Sequence, residues 1–275
     1  MLDHKILYNS DKISANYAER DYLEEAEEAI LEELEADLKN MDMLDMGVGG
    51  GRTTRYFAPL AGSYIGADYA RAMIKICNDK YKGKHLFLES DARSMDELSD
   101  NSFDFVLFSF NGIDSFTHED RIIALKEIRR VLKNNGYFCF SSHNLNWENL
   151  SDIFRFKSSK IKLSKNAGLK GCIELPKERI KFSHRTIRLS YLNRSFIMKN
   201  FIEEFKENGR GSLYDNSLHG KASIYYITRA EQIRQLESSG FINIQTYSRE
   251  GIKTDIRGQL NKGGWIYYFC QVKKD

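Results

Sequence analysis

Four residues at alternate positions carry the clearest chemical signal in this chain of 275 residues. Asp45, Gly47, Gly49 and Gly51 follow the short apolar run 43–44. Glycine accepts positive φ angles and lets the backbone come close to a ligand. A buried strand that ends in such a loop and is followed by a helix is typical of the first unit of a doubly wound sheet, where a nucleotide cofactor binds.

The spacing of these glycines argues against two common nucleotide sites. The dinucleotide fingerprint G-x-G-x-x-G/A requires a small last residue, and Arg52 occupies that position when the count starts at Gly47. A P-loop requires a Lys-Ser/Thr pair after the glycines, and no such pair follows here. A different nucleoside-containing cofactor is therefore favoured, and a glycine turn without a ligand is the alternative.

Two further acids follow predicted strands. Asp68 ends the second apolar segment, about 20 residues beyond the glycines, where a carboxylate commonly holds ribose hydroxyls. Asp91 follows the third predicted strand. Each acid taken alone could equally be a helix cap or a turn residue. Their order after the glycine loop favours the cofactor role.

The pattern acid-x-Gly-x-Gly-x-Gly resembles motif I of the class I S-adenosylmethionine (SAM) dependent methyltransferases. Asp68 is similar to the acid of motif II, which holds both ribose hydroxyls, and Asp91-Ala92 resembles motif III, which contacts the adenine. The resemblance covers about residues 39–144 and 223–275. It implies SAM as the cofactor and S-adenosylhomocysteine as the product.

The resemblance also implies roles for residues beside these motifs. Tyr17, which precedes an acidic helix, is the candidate to close the pocket, and Tyr69 is the candidate to flank the adenine. Ser109 and Phe110 end the most apolar strand and are expected beside the methionine arm. The expected cofactor-binding residues are Tyr17, Asp45, Gly47, Gly49, Gly51, Asp68, Tyr69, Asp91, Ala92, Ser109 and Phe110.

The same edge of the sheet supplies candidates for the acceptor chemistry. A sulfonium methyl group is already activated, so the main task is to align the acceptor and exclude water. His143, at the tip of the fifth strand, is the candidate general base for a hydroxyl or ammonium acceptor, and a strand-capping histidine is the alternative. Asn111, Asp114 and Tyr226 are the candidate substrate contacts. No His, Cys, Asp and Glu set has metal-ligand spacing, so no metal is expected.

The order of elements predicts an α/β fold with a doubly wound, mostly parallel seven-stranded sheet and an antiparallel last strand. Residues 1–146 are predicted to form the Rossmann-like SAM-binding core with an N-terminal helical segment. Residues 147–221 are predicted to be a substrate lid inserted between strand 5 and the following helix, with 209–220 loop-like. Residues 222–275 are predicted to complete the core.

Charge is unevenly distributed although the net charge is only +2. Residues 1–45 hold 14 acids against 4 Lys/Arg, a net −10, whereas residues 151–199 hold 13 Lys/Arg against 3 acids, a net +10. The basic stretch either binds an anionic metabolite, tracks along nucleic acid, or balances the acidic helix.

Three functions stay open on this sequence. The leading one is a SAM-dependent methyltransferase that acts on an O or N nucleophile of a small-molecule metabolite. The others are an RNA methyltransferase that uses the basic lid, and a SAM-binding regulator without catalysis. No apolar leader and no run near the ~20 residues of a membrane span is present, so a cytoplasmic protein without a membrane partner is expected.

Overall fold

The computed structural model describes residues 4–153, 187–194, 205–217 and 220–274. The predicted lid, residues 147–221, lies largely outside these ranges, so its extent and fold stay predictions. The helices are α1 (His4–Tyr8), α2 (Asp11–Ala18), α3 (Glu25–Leu38), α4 (Thr54–Phe57), α5 (Arg71–Tyr81), α6 (His118–Val131), α7 (Arg229–Ser238) and α8 (Arg257–Leu260). The strands are β1 (Asp42–Met46), β2 (Ser63–Asp68), β3 (Leu86–Glu89), β4 (Phe103–Phe108), β5 (Leu132–Asn144), β6 (Arg210–Tyr214), β7 (Ser223–Ile227), β8 (Phe241–Tyr247) and β9 (Trp265–Val272).

Seven of the strands form a core sheet in the order β3-β2-β1-β4-β5-β9-β8. Strands β1 to β5 are parallel to one another, and β9 runs antiparallel to both β5 and β8. This arrangement confirms the predicted fold class, including the antiparallel last strand. The carboxyl ends of the parallel strands share one edge, where doubly wound folds bind their ligands.

A hairpin of β6 and β7 extends the same sheet beyond the seven core strands. Strand β7 pairs with the last residues of β5, at His143↔Tyr226 and Asn144↔Ile227. The expectation that 209–220 is loop-like is therefore wrong for Arg210–Tyr214, which pairs antiparallel with β7. Its pairing partners lie between 9 positions (Tyr214↔Ser223) and 17 positions (Arg210↔Ile227) away, so the local sequence carries little sign of the strand.

Helices cover both faces of the sheet because each has one apolar stripe. In α3 the buried residues Ala26, Ile30, Leu34 and Leu38 recur every three or four positions, as expected for a helix packed on a sheet. The helix begins with a capping box, in which Glu24 and Glu27 each accept a hydrogen bond from the other's backbone N–H. This face packs on β1 and β4, which are buried on both sides.

Substitution of two leucines compares how much the central strand β1 and the edge strand β3 contribute to stability. Leu44 of β1 is fully buried, whereas Leu86 of the edge strand β3 is 53% exposed. We expect Leu44→Ala to lower the free energy of unfolding by about 2–5 kcal/mol, since it removes buried methyl groups and leaves a cavity. The matched change Leu86→Ala is expected to shift it by less than about 1 kcal/mol. Denaturant unfolding of both variants measures the difference, and equal losses would contradict the assignment of β1 to the core.

Candidate active site

A cavity opens at the carboxyl ends of β1, β2 and β4 and holds about 820 Å³ of space, part of it open solvent. The predicted cofactor residues converge on it, with the exceptions of Gly51 and Asp91, which do not line it. The lining also contains residues that the sequence analysis did not select. The predicted residues in the lining are Tyr17, Asp45, Gly47, Gly49, Asp68, Tyr69, Ala92, Ser109 and Phe110.

The glycine loop needs glycine for its backbone conformation and for close packing. Gly47, Gly49 and Gly51 have φ angles of 65°, 56° and 75°. A Cβ on Gly47 would lie 2.6 Å from the ring of Phe108, so the loop packs directly on the end of β4. The carbonyl oxygen of Gly51 accepts a hydrogen bond of 2.7 Å from the hydroxyl of Tyr81 on α5. Gly51 therefore joins the loop to the next helix.

Asp45 ties the end of β1 to the beginning of α4. Its buried Oδ2 accepts hydrogen bonds from Thr53 Oγ1 at 2.5 Å and Tyr64 OH at 2.8 Å. Burial raises the pKa of this carboxyl to about 6, although both hydrogen bonds oppose the shift. The side chain thus fixes the loop from beneath, and a direct contact with the cofactor stays a prediction.

Asp68 joins the tip of β2 to the glycine loop. Its Oδ2 accepts from the backbone N–H of Gly49 at 3.0 Å, and its Oδ1 accepts from that of Ala70 at 2.8 Å. An ionised carboxylate has about four acceptor positions, so the group retains capacity for two further donors. Burial raises the pKa of Asp68 to about 6. A buried acceptor at the cavity wall suits a pair of ribose hydroxyls.

Asp91 points its carboxylate to a neighbouring arginine. Arg93 Nη2 lies 2.7 Å from Asp91 Oδ2, and Arg93 Nη1 lies 3.1 Å from Asp120 Oδ2. The flanking residues Ser90 and Ala92 line the cavity. Ser90 Oγ is buried and has no hydrogen-bond partner in the described ranges, so it is a further candidate ligand that the sequence analysis missed. A serine before the motif III acid carries no distinctive sequence signal.

Three tyrosines meet at the mouth of the cavity. The ring centroids of Tyr8 and Tyr17 lie 5.8 Å apart, and those of Tyr8 and Tyr69 lie 6.2 Å apart, both in edge-to-face geometry. The backbone of Tyr17 packs on the loop, because a Cβ on Gly50 would lie 2.5 Å from the Tyr17 carbonyl oxygen. The segment before α3 thus contributes Tyr8 and Tyr17 to the cavity lining, and the role of Tyr17 in closing the pocket stays a prediction.

A buried ion pair supports the cavity wall. Arg52 donates from Nη1 to Glu27 Oε2 at 2.5 Å and from Nη2 to Glu27 Oε1 at 2.6 Å. Ser109 Oγ and, at 3.1 Å, Tyr267 OH also donate to Glu27 Oε1. Although burial disfavours its charge, the bonds to Glu27 hold the pKa of Arg52 above its usual range. The predicted cofactor residue Ser109 is therefore tied to helix α3.

The chain turns sharply after β4. Phe110 and Asn111 are consecutive residues with φ angles of 54° and 59°, a conformation that non-glycine residues rarely adopt. The Asn111 N–H donates to Ser141 Oγ at 2.8 Å, and the Phe110 ring lies 4.9 Å from that of Trp265. The turn aims Phe110 at the cavity. The role of Asn111 as a substrate contact stays a prediction.

His143 is held by a buried carboxylate. Asp114 Oδ2 lies 2.7 Å from His143 Nδ1 and accepts from the His143 backbone N–H at 2.6 Å. Asp114 Oδ1 accepts from Arg121 Nη1 at 2.6 Å and from Ser142 Oγ at 2.6 Å. Burial alone would raise the pKa of Asp114, but Arg121 and His143 bring it below its usual value. Asp114 is thus engaged with His143 and Arg121, and its carboxylate is fully buried.

The hairpin closes the other side of the imidazole. His143 Nε2 lies 3.9 Å from Asp215 Oδ2, which accepts from Tyr226 OH at 2.9 Å. The ring centroids of His143 and Tyr226 are 4.9 Å apart, so the candidate general base and a candidate substrate contact are neighbours. Trp265 stacks on His143 at 6.2 Å and links it to Phe110 of the cavity lining. The sequence analysis missed Asp215, which follows β6 in the region expected to be a loop.

The described residues contain neither a metal-binding cluster nor a membrane-spanning helix. Within them, His, Cys, Asp and Glu side chains form no group of three or more that could hold a metal ion. None of the described helices has both the length and the apolar character that crossing a bilayer requires.

Sequence comparison finds a methyltransferase domain in part of this chain. A family model described as "Methyltransferase domain" matches residues 44–140. The ubiquinone/menaquinone biosynthesis C-methyltransferase of Burkholderia multivorans is 32% identical over 124 residues, which are 42% of this chain and 49% of that protein. The ubiquinone biosynthesis O-methyltransferase of Pelagibacter ubique is 25% identical over 142 residues, 51% of this chain and 56% of that protein. The chain thus spans about half the length of the curated relatives it matches.

Solved structures extend the likeness to the whole fold. A SAM-dependent methyltransferase from Clostridium acetobutylicum covers 96% of this chain and 99% of its own, with 13% identity and a TM-score of 0.59. One from Thermotoga maritima covers 98% of both chains, with 18% identity and a TM-score of 0.52. At these identities the likeness establishes the fold. Residues 44–140 therefore match a methyltransferase domain, and the chain as a whole shares the fold of SAM-dependent methyltransferases of solved structure.

Proposed function

We propose that this protein transfers the methyl group of SAM to an oxygen or nitrogen of a small metabolite, with His143 as the general base. The observation that carries the proposal is the Asp114–His143 pair, with 2.7 Å between Asp114 Oδ2 and His143 Nδ1, at the carboxyl end of the sheet. A histidine held this way by a buried carboxylate has one defined nitrogen for proton transfer. Base catalysis serves hydroxyl and ammonium acceptors, which must lose a proton.

Several features of the cavity support SAM as its ligand. The left-handed glycines allow a close backbone approach on one side, and Asp68 offers free acceptor capacity for ribose hydroxyls. Ala92 gives an apolar wall beside the expected adenine position, and Tyr69 stands nearby. When bound, SAM supplies a methyl group on a positively charged sulfur, which needs no further activation.

The side chains then have distinct tasks around the acceptor. Asp114 accepts from His143 Nδ1–H, which leaves Nε2 as the nitrogen that takes the acceptor's proton. Trp265 contacts both His143 and the cavity residue Phe110, with ring centroids 6.2 Å and 4.9 Å apart. We further propose that Tyr226 and Asn111 contact the acceptor. Excluding water and aligning the acceptor account for most of the remaining acceleration.

The activities for which the relatives are named support a small-molecule acceptor, but they differ in the atom that is methylated. They include C-methylation and O-methylation in ubiquinone biosynthesis. We favour an O–H or N–H acceptor here because of the held histidine. A carbon acceptor, an anionic metabolite bound by the basic stretch, an RNA acceptor and a SAM-binding regulator are the competing outcomes.

One labelling experiment separates these outcomes. The protein is incubated with methyl-labelled SAM and a cell extract divided into small-molecule, RNA and protein fractions. We expect label in the small-molecule fraction, in a product whose methyl group is on oxygen or nitrogen by mass spectrometry and NMR. A methyl on carbon or label in RNA would contradict the proposal. SAM binding without label in any fraction would favour the regulator.

Substitution of Asp68 tests the ribose assignment. We expect Asp68→Ala to weaken SAM binding more than about tenfold, because the two ribose donors lose a charged acceptor. In the parent protein, affinity is expected to fall as pH drops through about 6, where the raised pKa lets Asp68 take a proton. Calorimetric titration with SAM measures both effects. The control is Asp79→Ala on the exposed face of α5, and equal affinities for both variants would remove the assignment.

Substitution of His143 tests the base. With the acceptor found by labelling, we expect His143→Gln to lower kcat by about a hundredfold or more and to abolish the acidic limb of the pH–rate profile. The control is His85→Gln, whose ring contacts Tyr64 and Tyr81 away from the acceptor side. An unchanged rate and profile in His143→Gln would make the histidine structural. Unchanged SAM affinity in the same variant separates loss of catalysis from loss of fold.

A further inference from the structure

Arg20 stands at the mouth of the cofactor cavity between two aromatic rings. It lies in the loop that joins α2 to α3, and it lines the cavity. Its guanidinium carbon is 4.2 Å from the ring centroid of Tyr17 and 4.6 Å from that of Phe110. Stacking on both faces restrains the planar guanidinium, so its edge donors are presented in a defined direction.

The guanidinium has a donor without an acceptor among the described residues. Arg20 Nη1 is buried, and none of the described residues provides it with a hydrogen-bond acceptor. A buried charged donor without a partner is costly, which indicates that a ligand supplies the acceptor.

The neighbouring charged groups are already paired. Asp21 binds Arg55, and Glu24 binds Arg249. Arg52, the other arginine of the cavity lining, is held by both oxygens of Glu27. Arg20 is therefore the cavity arginine left to meet an anionic ligand group within the described part of the chain.

We propose that Arg20 binds the terminal carboxylate of the methionine moiety of SAM and so fastens residues 4–20 over the bound cofactor. This inference rests on SAM being the cofactor, and not on the acceptor or the general base. The fork of a guanidinium matches the two oxygens of a carboxylate.

The position of Arg20 along the cavity favours the carboxylate of the cofactor over other anions as its ligand. Asp68 is the proposed ribose ligand, whereas Ser109 and Phe110, whose ring contacts the guanidinium, line the cavity where the methionine arm is expected. The ring of Tyr17 also contacts the glycine loop, at 3.5 Å from the place of a Cβ on Gly49. A carboxylate on an acidic acceptor is the other source of the same chemistry, and the experiment separates the two.

The test compares two ligands that differ in the amino-acid part. S-adenosylhomocysteine carries the carboxylate, whereas 5′-methylthioadenosine keeps the nucleoside and lacks it. We expect Arg20→Gln to weaken S-adenosylhomocysteine binding by about ten- to a hundredfold in calorimetric titration, because a charged bidentate contact is lost. Binding of 5′-methylthioadenosine is expected to change by less than about twofold. The control is Arg55→Gln, an exposed arginine paired with Asp21, which should leave both affinities as they are.

Any of the following results would contradict the assignment of Arg20 to the carboxylate of SAM. Equal losses for both ligands would mean that Arg20 acts through the shape of the cavity. No loss for either ligand, with a raised KM for the acceptor alone, would assign Arg20 to an acceptor carboxylate. Failure of the parent protein to bind either ligand would remove the cofactor itself, which is a different failure from that of Arg20.

Hydrogen exchange gives a second readout of the fastening. In the parent protein, S-adenosylhomocysteine is expected to slow amide exchange over residues 11–20 more than 5′-methylthioadenosine does, each at a saturating concentration. In Arg20→Gln this difference is expected to disappear while protection of 45–51 by either ligand persists. Equal protection of 11–20 by the two ligands in the parent protein would contradict the proposal.

Discussion

The buried ion pair between Glu27 and Arg52 connects the parts of the molecule that form the cavity. Through it, helix α3, the end of the glycine loop, the tip of β4 at Ser109 and strand β9 at Tyr267 share one set of hydrogen bonds. Removing one partner of such a pair typically costs about 3–5 kcal/mol, because the other charge stays buried without compensation. Arg52, whose size and charge do not fit the dinucleotide fingerprint, is the residue that binds both carboxylate oxygens of Glu27.

The acids of the site divide into those that face the cavity and those that hold other groups. Asp68 has acceptor capacity beyond its two backbone hydrogen bonds, whereas Asp114 is surrounded by donors from Arg121, Ser142 and His143. Arg121 neutralises Asp114 at 2.6 Å, so the imidazole beside it does not bear the full field of a lone carboxylate. Paired charges of this kind keep the polar groups under the cavity in fixed positions.

The fold and the cofactor face could be predicted because they follow from local patterns. Apolar runs ending in acids or glycines mark the parallel strands, and parallel strands end at a common edge. The partners of Asp114 and Asp91 could not be predicted in this way. Arg121 meets Asp114 through helix and loop geometry, and the preference of Asp91 for Arg93 depends on the turn between them. The hairpin strand β6 and its neighbour Asp215 depend on pairing with β7, which no local pattern reveals.

The contact between Tyr267 and Glu27 joins residues 240 positions apart in the chain. Strand β9 also supplies Trp265, which touches both Phe110 and His143, and it lies between β5 and β8. Contacts of such long range form late, since a large loop must close before they stabilise anything. During synthesis on the ribosome, the residues that line the cavity, all between Tyr8 and Phe116, emerge well before Tyr267, so Glu27 at first lacks one of its hydrogen-bond donors. Until β9 has formed, the edge of β5 that pairs with it is open to mispairing with other chains.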